Sequence, residues 1–185
     1  MIDRFQCNVK TIEDQNLCDS NDIKKIKDYF LRHVSIFDEG KAVFVHADVQ
    51  MGNIIHQGSK LAALIDCDYS MKAPKIRALI SLLGFIVEPS QFVEGTNDFA
   101  KFNKKNFYYL LPVLKRELPE LFADPQLLRK LNIIGIGEGM MWVSQNWSRE
   151  WNHELITDIV DRELAESDED LQKYYYGKIL ARLGG

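Results

Sequence analysis

The run Val45-His46-Ala47-Asp48-Val49-Gln50-Met51-Gly52-Asn53, followed by Ile65-Asp66-Cys67-Asp68, sets a His, an Asn and several carboxylates at spacings that could do chemistry. Its form is H-x-D-x-x-x-x-N, with an Asp arriving behind a short apolar stretch. Phosphoryl transfer from a nucleotide requires such a set: one carboxylate to orient a hydroxyl, then an Asn and an Asp to hold magnesium. Magnesium takes oxygen ligands, accepts one or two carboxylates from protein, and completes its shell with water and phosphate oxygens. An Asn53 oxygen and the Asp66 carboxylate answer that demand. Asp48 is then left to accept or orient a hydroxyl proton. Taken singly, Asp48 and Asn53 read as turn residues and Asp66 as a strand end. The joint pattern favours chemistry, since a carboxylate behind an apolar run expected to be buried is costly without a partner.

These residues need a hairpin to bring them together. Ile54-Ile55 and Leu61 to Ile65 read as two strands around the turn signal Gln57-Gly58-Ser59-Lys60. Antiparallel pairing about that turn brings Asn53, at the entry of one strand, to within about a residue or two of opposite Asp66, at the exit of the other. Ala42 to Val45 reads as a further short strand leading into the motif.

The flanking chain reads as helix. Residues 1–19 are polar and weakly periodic and are expected to be a flexible lead-in, with the folded lobe spanning 20–185. Ser20 or Asn21 caps a predicted helix with Ile23, Ile26, Phe30 and Val34 on its apolar face, stopped at Asp38-Glu39-Gly40. Ile76 to Val87 reads as a buried helix ended by Pro89. A helical region from about Asn97 to Leu118 carries Pro112, which predicts a kink. Asp124-Pro125 starts a helix from Gln126 past Trp142, and Trp151 to Leu164 is another. Ser167-Asp168-Glu169-Asp170 resembles a capping box for a last helix ending at Gly184-Gly185. The fold class is therefore α+β, mostly α-helical, with a small β-hairpin carrying the catalytic loop and metal site.

Totals bound the function. A chain of 185 residues is one ordinary domain, and 46% hydrophobic with 27% charged content is that of a soluble globular protein. A net charge of -4 argues against nucleic acid as a partner. The longest apolar run, Ala78 to Val87, is too short to span a membrane, and no secretory signal opens the chain. Cys7, Cys18 and Cys67 show no metal-ligand spacing and read as reduced thiols in a cytoplasm.

At the motif residues the chain resembles the aminoglycoside phosphotransferase and choline kinase-like family, whose usual form is close to H-G-D-x-x-x-x-N, a hairpin, then I-D-F-D or I-D-F-E. The match falls on His46, Asp48, Gly52, Asn53, Ile65, Asp66 and Asp68. The helical remainder resembles that family's protein kinase-like C-terminal lobe. The resemblance implies ATP as co-substrate and Mg2+ as cofactor. It implies Asp48 as catalytic base, Asn53 and Asp66 as magnesium ligands, and His46 as the brace of the loop. Ala47 replaces the usual Gly, which reads as a mild change. Lys72-Ala73-Pro74 stands where many members carry G-D-P, and Arg77 where an Asp commonly follows. Gln50 occupies the position of a Lys in eukaryotic protein kinases, which points away from a protein substrate.

A kinase also needs a nucleotide clamp: a sheet, a loop over the phosphates, a strand Lys and its helix Glu. The residues before His46 read as tail plus one helix, so that N-terminal lobe is expected to be absent from the chain. Gly135-Ile136-Gly137-Glu138-Gly139 lies in a helical pattern and reads as close helix packing. The leading expectation is transfer of the ATP γ-phosphate to a hydroxyl of a small, cationic substrate such as an aminoglycoside or amino alcohol. A separate N-terminal lobe or partner chain would complete the site, and the chain alone would have little activity. The alternative is a truncated, non-catalytic lobe acting as a binding or association module. A metal-dependent hydrolase built on His46, Asp48, His56, Asp66 and Asp68 is a weaker third reading. Trp142, Trp147 and Trp151 could wall a cation or sugar ring, but their spacing reads as core packing. The acidic stretch from Asp158 to Asp170 reads as a solvated face.

Overall fold

The computed structural model describes residues 1–37, 42–80, 82 and 110–174. In chain order these form α1 (Ile2–Asp14), α2 (Ser20–His33), a 3-10 turn (Val34–Phe37), β1 (Ala42–Val45), a 3-10 turn (Met51–Asn53), β2 (Ile54–Gln57), β3 (Lys60–Leu64) and β4 (Met71–Pro74). There follow α3 (Leu110–Glu117), α4 (Pro119–Phe122), α5 (Leu127–Ser144), α6 (Arg149–Asp158) and a π turn (Ile159–Glu163). Among the described residues the chain is mostly helical with two small antiparallel sheets, an α+β composition. No helix among them is long and apolar enough to cross a membrane. The chain divides into two compact units, Met1–Glu39 with Leu128–Tyr174, and Gly40–Leu127 with Tyr175–Gly185.

The first unit is a helical cluster with its own core. Phe5, Val9 and Ile12 of α1 pack with Ile23, Ile26, Tyr29 and Phe30 of α2 and with Ile133, Ile136, Met140 and Val143 of α5. The Phe5 and Phe30 rings stack at 3.7 Å. This corrects the expected lead-in over 1–19: most of it is helix, anchored by three buried side chains at helical spacing. The start is hard to read because Met1 makes no side-chain cap. The narrow stripe gains its stability only from burial against α2 and α5. The cap of α2 is Asp19, one residue ahead of the expected position, and its carboxylate accepts from Asn21 N at 2.8 Å.

α5 runs through the glycine-rich stretch without a break, so those glycines are helix-packing positions. A Cβ on Gly139 would stand 2.8 Å from Ile159 Cδ1, so only hydrogen there lets α5 approach the π turn without displacing Ile159. A polar network crosses the core nearby. Arg129 donates to Tyr29 Oη, to the Ala165 carbonyl and, at 2.9 Å, to the Glu166 carbonyl, and it pairs with Asp168 at 3.0 Å. Asn132 Nδ2 donates to the Glu163 carbonyl at 3.0 Å. These bonds hold the segment after the π turn, where one continuous helix to Leu164 was expected. Ser167 Oγ accepts from Asp170 N at 3.0 Å, capping the helical residues 168–174.

In the second unit β1 pairs with β4 from Ala42↔Pro74 to Val45↔Met71, and β2 pairs with β3 from Ile54↔Leu64 to Gln57↔Lys60. Both pairings are antiparallel and nest, one inside the other along the chain. Gly58, at φ 60°, fills the first central position of the β2–β3 turn, where a two-residue hairpin of the II′ type takes glycine. β4 was not read from the sequence, which had helix beginning only beyond Pro74. Pro74 closes β4 as its last residue, where a missing N–H costs little. Lys75 pairs with Glu120 of α4. Residues 77–80 are helical and Leu79 is fully buried, in keeping with the start of the expected buried helix. The expected stop at Asp38-Glu39-Gly40, the helix onward to Pro89, residues 97–109 of the next helical region, and the terminus at Gly184-Gly185 lie outside the described residues, while Pro112 sits in the first turn of the described α3.

Candidate active site

The nested ladders explain how the motif is held. β1 delivers the chain into His46 to Asn53, the β2–β3 hairpin returns it, and residues 65–70 lead into β4, which pairs back on β1. The two polar loops therefore leave from the same junction between two short ladders. Across that junction Ile65 N donates to the Asn53 carbonyl at 3.0 Å, extending the β2–β3 register by one step. Asn53 and Asp66 thus stand one residue apart across the hairpin although thirteen apart in sequence. His46 bridges the loops a second time, with Nε2 2.9 Å from the Ile65 carbonyl. A carbonyl only accepts, so Nε2 carries the proton. Nδ1 is buried without a hydrogen-bond partner.

Asn53 is the buried member of the set. Its Nδ2 donates to both the Asp48 carbonyl and Asp48 Oδ2, each at 2.9 Å. Both partners are acceptors, which fixes the amide orientation and leaves Asn53 Oδ1 as its unengaged atom. Gln50 Nε2 adds a second donor to Asp48 Oδ2 at 3.3 Å. Asn53 N donates to the Gln50 carbonyl at 3.0 Å, closing the 3-10 turn that aims the side chain. Ser70 Oγ donates to the His46 carbonyl at 3.4 Å, and Ser70 N to the Cys67 carbonyl at 2.9 Å. Gln50 and Ser70 escaped the sequence reading as site members. Gln50 shows a signal, two residues beyond Asp48, but Ser70 shows none.

Asp66 differs from expectation in its surroundings. Leu61, Leu64 and Ile65 are exposed, so the apolar run before it is not buried, and Asp66 itself is exposed. Its φ is 60°, a left-handed conformation that Asp tolerates, and it turns the chain out of the strand. Ala47 also has positive φ, 63°, in the position where glycine would be free of strain. The change from Gly is therefore not neutral for the backbone. Asp68 sits in the following turn.

An Asn oxygen and a free carboxylate across one hairpin step fit a hard divalent cation whose shell is completed from elsewhere. Among the described residues no three or more His, Cys, Asp or Glu gather where they could cage an ion. Any ion held by Asn53 and Asp66 would therefore depend on phosphate and water oxygens. The hydrolase set does not assemble: His56 stands at the turn end of the hairpin, with Nδ1 3.2 Å from the Gly58 carbonyl.

In the helical unit, Trp142, Trp147 and Trp151 are 40%, 66% and 38% exposed, against the expectation of core packing. Trp142 and Trp147 face each other at 6.1 Å with rings tilted by 53°. The acidic stretch is partly structural: Tyr174 Oη donates to Glu163 at 2.8 Å and lies 3.3 Å from an Asp158 oxygen.

No curated protein and no solved structure matches the chain. A model of the phosphotransferase enzyme family matches residues 6–104, more than half of the sequence, with all of His46 to Asp68 inside the match. The loop geometry and that match lead to one statement: the chain belongs to the phosphotransferase enzyme family.

Proposed function

We propose that this chain is a kinase-like catalytic lobe that transfers the ATP γ-phosphate to a hydroxyl of a small substrate. The observation that carries the reading is the single hairpin step between Asn53 and Asp66, with Asp48 hydrogen-bonded to Asn53 on the preceding loop. Asn53 Oδ1 and the Asp66 carboxylate would hold magnesium, which when bound offsets negative charge on the phosphate oxygens. Asp48 accepts or orients the hydroxyl proton of the acceptor. His46 ties the base loop to the metal loop through the Ile65 carbonyl. The acceptor is proposed to be a small cationic alcohol, such as an amino sugar or amino alcohol, in keeping with membership of the phosphotransferase enzyme family. The cytoplasm, where Cys7, Cys18 and Cys67 stay reduced, is the proposed setting.

The nucleotide clamp is proposed to come from a second lobe, on a partner chain or elsewhere in a longer polypeptide. Support comes from the ladders, whose side chains include Phe44 at 75% exposure and Leu61 at 64%, with Val43, Ile55, Leu64 and Ile65 also exposed. Such a concentration of apolar side chains beside the motif suits a covering partner. It also suits the second reading, a non-catalytic association module.

Calorimetry with magnesium and ATP separates the two readings. Magnesium-dependent nucleotide binding that disappears in Asp66→Ala is the expected result for the catalytic lobe. Binding that ignores both magnesium and Asp66→Ala would sink the metal assignment.

A further inference from the structure

Gln50 lies outside every role assigned above, yet it touches the proposed base. Its side chain donates to Asp48 Oδ2 at 3.3 Å, the oxygen that already receives Asn53 Nδ2 at 2.9 Å. We propose that Gln50 is a positioning residue that selects which Asp48 oxygen faces the acceptor hydroxyl. The inference rests on Asp48 being the base.

A carboxylate has two oxygens and can rotate about its last bond with little cost, so a base with one anchor presents either oxygen to its substrate. Asp48 is held differently. Asn53 divides its two amide hydrogens between the Asp48 carbonyl and Oδ2, which ties the side chain to its own backbone on one side. Gln50 approaches the same oxygen from two residues further along the loop. Two donors converge on Oδ2, and Oδ1 is the oxygen left to take a proton. The amide orientation of Gln50 is fixed by chemistry, since only Nε2 can donate to a carboxylate.

Asn53 would serve two partners once it holds a cation. Its Oδ1 would then answer to the metal, and the tilt of its amide plane would follow the ion. Gln50 has no such second duty, so it keeps Oδ2 engaged independently of the metal. The backbone is arranged for this: Asn53 N donates to the Gln50 carbonyl at 3.0 Å, so the turn that places Asn53 also fixes Gln50.

The test uses the full chain in three variants, Gln50→Leu, Gln50→Glu and Gln50→Lys. High-resolution crystal structures give the first readout. Asp48 is expected in one conformation in the wild type and in Gln50→Lys, whose ammonium can donate to Oδ2. In Gln50→Leu it is expected to split between two carboxylate orientations, and in Gln50→Glu to turn away. Steady-state phosphotransfer, with whatever nucleotide lobe completes the site, gives the second. Loss of one hydrogen bond to a charged group lowers kcat about tenfold to a hundredfold. KM for magnesium-ATP stays unchanged, and Gln50→Lys recovers most of the loss. A single unchanged Asp48 conformation in Gln50→Leu overturns the proposal, as does an unchanged kcat. A wild type whose nucleotide binding ignores magnesium overturns the catalytic reading instead, and the structures still decide whether Gln50 sets the Asp48 orientation.

Discussion

Ala47 carries the clearest residue-scale consequence. An L-residue with a Cβ in the left-handed region suffers a clash worth about 1–2 kcal/mol, while glycine there gives back about 0.5–1 kcal/mol through its freer unfolded chain. Ala47, at φ 63°, is thus expected to gain on the order of 0.5 kcal/mol in Ala47→Gly. Urea unfolding measures it, and a loss of stability would show that Ala47 makes a contact worth more than the strain. The residue types of the motif are readable from spacing alone: His46, Asp48, Asn53 and Asp66 stand out in the sequence. Their division of labour was not. That Asn53 is the buried member, that both its hydrogens go to Asp48, and that Gln50 shares Oδ2 depend on distances within a loop. The same letters could have been satisfied by water.

At the scale of elements, the glycines of α5 provide their own controls. Nothing lies within 4 Å of a Cβ built on Gly135, whereas one on Gly139 meets Ile159 Cδ1 at 2.8 Å. Gly→Ala in a helix interior gains up to about 1 kcal/mol when space allows. Overpacking a filled core costs about 1–3 kcal/mol. Gly135→Ala is therefore expected to raise the melting temperature and Gly139→Ala to hold or lower it. Equal shifts in calorimetric Tm for the two would contradict the close packing of α5 on the π turn. α2 is legible because one buried stripe, Ile23, Ile26 and Phe30, specifies it, whereas α5, buried on several sides, is legible from its start signal at Asp124-Pro125. α1 was missed because polar residues surround Phe5, Val9 and Ile12, and a stripe of three needs its partners to be recognised. β4 was missed for a related reason. Met71 to Pro74 shows little strand pattern, and its strand state comes from pairing with β1.

At the scale of the whole molecule, His33 makes one contribution to the pH dependence of stability. Burial lowers its pKa below the ordinary 6.5, and the neighbouring Arg129 guanidinium acts in the same direction. Glu166, with a carboxylate oxygen 3.6 Å from Nε2, pulls the other way without reversing the shift, and Arg32 adds to the lowering. The Tyr29 ring, at 4.6 Å, covers one side. With a depressed folded value, the unfolded chain binds the proton more readily. The contribution of neutral His33 is complete above pH 6.5 and is lost as the pH falls through the folded value. Unfolding measured between about pH 7.5 and 5.5, where histidine changes charge, should show a decline that is shallower in His33→Gln. Parallel profiles for the two proteins would contradict it.

Phosphotransferase chemistry, the hairpin and its register were determined by the sequence itself, because they rest on residue type and on periods of two or thirteen positions. These are largely local properties: a turn with Gly58 in it brings Asn53 within a residue of opposite Asp66, the last step of the register being set by an irregularity between Ile55 and His56. Burial was decided only by the tertiary structure. Leu61, Leu64 and Ile65 look like a core strand and are exposed, while Trp142, Trp147 and Trp151 look like core residues and reach solvent. Polar lead-in residues around Phe5, in contrast, fold down as a helix. Whether an apolar side chain is covered depends on what else arrives to cover it, and that partner is nonlocal in the sequence.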